Sequence, residues 1–186
     1  LEFPLVRQSH GDFTGAIANS GWVAMSGDWG FRDGALVQQQ PDGFDRNISY
    51  NKPSDSYRMS VKFRISQGTG AGLLFNMPEA TSKKGAHMVR YSDDGAGVFW
   101  GYFDKDGAFT GQGFKGTTAP GSDTHVLEVI SGPDTYAILL DGQQLADQIP
   151  LESKSGYPGL TTSQSVAEYQ QVKISSLNGT DTAPAE

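Results

Sequence analysis

The sequence predicts an all-β domain made of two packed antiparallel sheets, and three observations lead there. Over Tyr57 to Ile65 apolar and polar residues alternate strictly, the period of two that sends successive side chains to opposite faces of a strand. Glycine-ended turn sequences recur between patterned segments, at Arg32-Asp33-Gly34, Asp93-Asp94-Gly95, Asp104-Lys105-Asp106-Gly107 and Leu140-Asp141-Gly142; each places Gly where a hairpin needs positive φ. No stretch of useful length shows the amphipathic helix period, and 24 glycines and nine prolines in 186 residues suit short strands and tight turns.

Taken in order, the first expected strands are Trp29 to Phe31, Ala35 to Gln39 and Asn47 to Tyr50. In the next, Tyr57, Met59, Val61, Phe63 and Ile65 form a dry face and Arg58, Ser60, Lys62 and Arg64 a wet one. Shorter alternations follow at Gly72 to Asn76, His87 to Tyr91, Val98 to Phe103, His125 to Ile130, Thr135 to Leu140 and Ala167 to Ser175. About ten to twelve strands at this spacing build two face-to-face sheets. A chain of this length buries a substantial core as one domain, assigned to residues 1–176. Residues 177–186, small and polar with Pro184, read as a flexible tail or linker.

The formal charge of −7 and pI near 4.8 argue against nucleic acid, which is held by clustered Lys and Arg, and against anionic membrane surfaces. Cysteine is absent, so disulfides, thiolate metal sites and cysteine nucleophiles are excluded together. No apolar run approaches the ~20 residues of a membrane helix. The start at Leu1-Glu2-Phe3, without methionine, predicts a processed protein or a piece attached to other domains in a larger one. Asn47-Ile48-Ser49 and Asn178-Gly179-Thr180 match a glycosylation pattern that matters only in a eukaryotic secretory route.

Four stretches carry a resemblance. Trp29 to Leu36 looks like an opening "W-x-x-x-D-G-x-L" hairpin; Tyr57 to Ile65 with Gly70-Ala71-Gly72-Leu73-Leu74-Phe75 looks like a "Y-x-x-x-x-x-F-R" and "G-x-G-h-x-F" strand pair. His125 to Val129 with Tyr136 to Gly142 looks like an "H-x-L-x-V … Y-x-h-x-h-D-G" hairpin, and Gly156 to Leu160 with Val166 to Ile174 like a closing "G-x-x-G-L … h-x-h" pair. Together, over roughly residues 22 to 176, they resemble the concanavalin A-like lectin/glucanase superfamily, in particular laminin-G-like modules, 3-keto-disaccharide hydrolases and levan-binding modules of bacterial glycosidases. The resemblance implies a two-sheet antiparallel jelly-roll sandwich, an extracytoplasmic location and a ligand on one sheet face. Because such a fold hosts lectins, hydrolases and adhesion modules alike, function has to be read from a site.

Retaining glycosidases need two carboxylates about 5 Å apart, one to attack and one to protonate. No strand here carries such a pair; Glu128, Glu152 and Glu168 lie on separate segments. His10, His87 and His125 are scattered, with no partner at ligand spacing, and His125 is expected to pack at the start of its strand. Asp42, Asp45, Asp93, Asp94, Asp104 and Asp106 are the oxygen donors a calcium could use. Asp104-Lys105-Asp106-Gly107 opens like a calcium loop but lacks the later ligands, so turn roles are expected. No cofactor is required, and a structural calcium is compatible with the sequence.

The carbohydrate case rests on aromatic rings, which stack on the C–H faces of sugars, and on planar polar groups, which bond their hydroxyls. Arg90 is costly inside a core and is expected on the sheet surface, with Asn76 beside it and Glu79 in a loop that folds over the sheet edge. On Val98 to Phe103 either face is apolar enough to be core. The polar atoms of Trp100 and Tyr102 favour that pair as the ligand-facing set, with Trp100 in the core as the alternative. Lys83 and Lys84 are expected to be merely solvated, and Trp22 and Trp29 to pack between the sheets. The expected function is non-catalytic recognition of a polysaccharide or oligosaccharide through Asn76, Glu79, Arg90, Trp100 and Tyr102. The alternatives are a glycoside hydrolase-type enzyme of the same fold and an adhesion or protein-interaction module.

Overall fold

A computed structural model describes residues 13–178. His10, residues 179–186 of the expected tail and the Asn178-Gly179-Thr180 pattern as a whole lie outside the described residues. Thirteen strands follow one another: β1 (Trp22–Ala24), β2 (Trp29–Arg32), β3 (Ala35–Gln38), β4 (Arg46–Tyr50), β5 (Ser54–Asp55), β6 (Tyr57–Met77), β7 (His87–Ser92), β8 (Gly97–Phe103), β9 (Phe109–Gly116), β10 (Thr124–Ser131), β11 (Thr135–Leu140), β12 (Gln143–Pro150) and β13 (Ser155–Ser176).

Two long strands organise them. β6 and β13 pair antiparallel from Tyr157 opposite Met77 to Ser176 opposite Tyr57 and pass through both layers of the sandwich. The front layer runs β1-β4-β13-β6-β7-β8-β9, and the back layer β2-β3-β13-β6-β10-β11-β12. The ribbon changes layer near Gly68, whose φ of 94° faces Gln164 at φ 48°. A Cβ at Gly68 would stand 1.9 Å from the Gln164 carbonyl oxygen, so no other residue fits this crossing. The sequence pattern predicts a break between Tyr57 to Ile65 and Gly72 to Asn76. The chain instead continues as one strand, because the glycines between them permit the bend without ending the ladder.

The core lies between the layers. Val61, Phe63, Leu127, Ile138 and Tyr169 come from the back, and Ile48, Leu73, Val89, Trp100 and Leu160 from the front. Trp22 and Trp29 belong to the same core, as the sequence indicates. The buried Tyr169 hydroxyl reaches across to the backbone of Gly72 and Thr161, tying the back half of β13 to the front layer; burial also pushes this phenol up. The outer face of the front layer carries a second cluster, Leu74, Met77, Ala86, Met88 and Phe103.

Candidate functional site

The outer face of the front layer is built on one cross-strand row. Register places Asn47 of β4 beside Thr161 of β13, Thr161 beside Gly72 of β6, Gly72 beside Arg90 of β7, Arg90 beside Phe99 of β8, and Phe99 beside Phe114 of β9. At one end the row is polar and at the other aromatic. Arg90 lies flat across it: a Cβ on Gly70 would be 3.3 Å from Arg90 Cδ, so that glycine makes room for the arginine stem. Its Nη2 then donates to Thr161 Oγ1 at 2.7 Å and to Asp45 Oδ1 at 3.0 Å.

Two loops meet above this row. Residues 39–45 lead into β4, and Gly43 and Asp45 there both have positive φ (85° and 52°), which brings the Asp45 carboxylate back over the sheet. Residues 78–86, between β6 and β7, are held down by Ser49 Oγ donating to the Ala80 carbonyl and by Gly85 N donating to the Phe103 carbonyl. From this second loop Lys83 Nζ donates to Asp45 Oδ2 at 2.8 Å and sits 4.5 Å from the centroid of the Phe103 ring, within cation–π range. The loops flank a cleft of about 410 Å³ lined among others by Met25, Phe44, Asp45, Asn47, Lys83 and Asp106. A second groove of about 700 Å³, beside Pro53, Pro78 and Tyr157, has Asp55 as the one charged residue of its lining and no buried charge cluster. The first is therefore the better candidate.

Burial raises the Asp45 carboxyl, but Lys83 and Arg90 outweigh it and hold Asp45 below the usual carboxylate range. At neutral pH the cleft thus presents a fixed carboxylate acceptor and a fixed ammonium donor. An acid that protonates a leaving group needs the opposite shift, so Asp45 is suited to hydrogen bonding rather than to proton donation. Asn47, 2% exposed, stands at the floor of the cleft, and Arg90, 6% exposed, lies behind its lining and holds Asp45 in place. Among the described residues no three His, Cys, Asp or Glu side chains stand together as a metal-binding group.

The structure corrects several site assignments. Trp100 points into the core: it is 7% exposed, and a Cβ on Gly113 would stand 2.4 Å from its ring. Tyr102 shares that side of β8 and packs against buried His87. Phe99 and Phe103 occupy the outer face instead. The polar atoms of Trp and Tyr favoured the reverse, but Gly113 on β9 leaves room inside for the larger indole. Asn76 is fully buried; its φ of 52° turns it off the strand pattern, and its Nδ2 donates to Ser131 Oγ and the Ser153 carbonyl. It is not beside Arg90. Glu79 is exposed on the 78–86 loop and is not part of the cleft lining. Arg90 alone of the five expected residues belongs to the charged cluster.

The pair Lys83-Lys84 is not merely solvated, since Lys83 closes the cluster on Asp45. Asp45, read from sequence only as a calcium donor, proves to be its centre. A usable signal was the Asp42-Gly43-Phe44-Asp45 turn directly before a strand, but nothing in the sequence says which distant cations it meets. Asp104 caps its own turn, with Oδ1 accepting from Asp106 N and Ala108 N. His125 packs at the start of β10 between Asp141 and the Pro120 carbonyl.

No protein-family model matches the chain, and neither does any curated protein. Solved structures do. A carbohydrate-binding module, CBM66 from Bacillus subtilis, is 18% identical with a TM-score of 0.75, over 83% of this chain and 94% of that one. A Bacillus subtilis protein of unknown function with a galectin-like fold is 12% identical with a TM-score of 0.63, over 82% and 88%. The metal-free carbohydrate recognition domain of Emp46p is 13% identical with a TM-score of 0.61, over 87% and 89%, and the same domain in a potassium-bound form also matches. At these identities the likeness establishes the fold alone: the chain is an antiparallel two-layer jelly-roll sandwich.

Proposed function

We propose that the protein is a non-catalytic glycan-recognition module, extracytoplasmic and working as one part of a larger protein, with its site in the cleft between residues 39–45 and 78–86. The observation that carries this reading is the Lys83–Asp45–Arg90 charge chain laid over Asn47 and Thr161. It combines a donor and an acceptor, Lys83 and Asp45, with an apolar wall of Met25 and the 69% exposed Phe44 ring. The likeness to a carbohydrate-binding module and to a carbohydrate recognition domain supports the same reading. Asp45, held ionised, serves as a hydrogen-bond acceptor and not as a proton donor. An open cleft of this size buries little area, so Kd for one saccharide unit is of roughly micromolar to millimolar order.

Calorimetric titration of the domain with a panel of mono- and oligosaccharides, with and without calcium, tests the proposal. The expected result is saturable binding without product formation, weakened at least tenfold in Lys83→Ala and unchanged in Tyr102→Phe. Absence of binding across the panel, or equal binding by Lys83→Ala, contradicts it.

A further inference from the structure

Among the described residues four large apolar side chains are exposed, and three of them, Phe44, Phe109 and Phe114, lie on this one outer face. Phe44 lines the cleft. The other two sit on β9 and lie over glycines of β8: a Cβ on Gly101 would be 2.8 Å from the Phe109 ring, and one on Gly97 2.7 Å from the Phe114 ring. Both rings therefore rest against the β8 backbone and turn a face outward. Phe99 is paired with Phe114 in the register and lies edge-on to Phe109 at 6.0 Å between centroids, and Phe103, paired with Phe109, lies 5.4 Å from it. Exposed apolar patches of this kind mark contact surfaces rather than chance.

The strip is continuous with the cleft. Phe103 carries the Lys83 ammonium over its ring, and Phe99 carries the Arg90 guanidinium at 5.8 Å. The same cations that organise the polar site thus sit on the edge of the aromatic one. Phe109 follows Gly107 of the cleft lining by two residues, and Phe114 stands five residues further along β9, about 17 Å away and more than the width of one sugar ring.

We infer that the site takes an extended glycan chain: the cleft reads the hydroxyls of one unit, and the exposed Phe109 and Phe114 rings, backed by half-buried Phe99 and buried Phe103, stack on the units that follow. This deepens the proposed function and rests on it. Phenylalanine has no polar atom to distinguish one hydroxyl pattern from another, so the strip sets chain length and orientation while Asp45 and Lys83 set sugar identity. Its occupant is the continuation of the same chain, because a ligand confined to the cleft leaves the rings uncovered.

The test titrates the wild-type domain and the Phe109→Ala/Phe114→Ala variant with gluco-, manno-, xylo- and fructo-oligosaccharide ladders of one to five units. Both substituted rings are exposed, and circular dichroism with thermal melts confirms the fold of the variant. For the ladder that binds, affinity is expected to rise at least tenfold from one unit to five in the wild type. In the double variant that rise is lost while single-unit affinity stays within twofold. Binding independent of length, or a length dependence that survives in the variant, overturns the extended site and leaves the cleft intact. No binding of any member by the wild type overturns both readings.

Discussion

Asp45 has two cationic partners and Arg90 is almost wholly buried, so the two residues are unequal in what their loss does. Asp45→Ala leaves the Arg90 guanidinium inside with only Thr161 Oγ1 from its present partners. Breaking such a pair from one side costs on the order of 2–3 kcal/mol when the pair is partly solvated, which lowers Tm by roughly 5–10 °C for a domain of this size. Lys83→Ala removes a half-buried partner and is expected to move Tm by less than about 3 °C; differential scanning calorimetry on the two variants reads the contrast. Two histidines give opposite pH dependences. Burial pushes His87 down to about 4, and its Nε2 accepts from the amides of Glu152 and Ser153 at 3.0 and 3.3 Å. Because the unfolded chain binds the proton first, the stability held by neutral His87 is present above pH 6.5 and is lost as pH falls toward 4, about 3 kcal/mol in all. Burial opposes protonation of His125 too, but Asp141 and the Pro120 carbonyl raise it above its usual value. Its contribution is full below pH 6.5 and fades as pH rises through the raised pKa. Urea unfolding at pH 4.5, 6 and 8 is expected to show the acid loss in the wild type and a flatter acid limb in His87→Gln.

At the scale of elements, the central ribbon depends on close backbone approach. A Cβ on Gly72 would stand 2.0 Å from the Val89 carbonyl oxygen in the adjoining strand, so Gly72→Ala must push β6 and β7 apart, at a cost on the order of 3 kcal/mol. Gly34 has positive φ but open space around it, and Gly34→Ala is expected to cost only about 1–2 kcal/mol. Denaturant midpoints order the two. The same elements show what is legible in sequence. β6 begins with strict alternation because one face is solvated and the other is core, and that first half, Tyr57 to Ile65, was readable in sequence, whereas its continuation through the glycines to Met77 was not. β9 has the sequence Phe109-Thr110-Gly111-Gln112-Gly113-Phe114-Lys115-Gly116; its glycines serve neighbouring rings, not its own pattern, so no alternation survives to be read. On β8 both faces are apolar, and the space for Trp100 on the inner face is left by Gly113 of β9, which the strand itself does not contain. Arg90 stands on the outer face as expected, but it is buried there rather than exposed, because Asp45 and Thr161 pair its guanidinium and offset the cost of burying the charge. Asp45 and Lys83 are 38 residues apart and meet through two loops whose course depends on the finished sandwich.

For the molecule as a whole, β6 and β13 hold both layers as one body, and the outer face of the front layer is where loop geometry, buried charge and exposed aromatic rings coincide. The central claim, that this face is the ligand surface, is tested most directly by amide chemical-shift mapping of the isotopically labelled domain during titration with the best-binding oligosaccharide. The account expects the largest shifts at Asp45, Asn47 and Lys83 and along Phe109–Phe114, with little change at Asp55 and Tyr157. Shifts concentrated at Asp55, Ser155 and Tyr157, or spread over the back layer, contradict it.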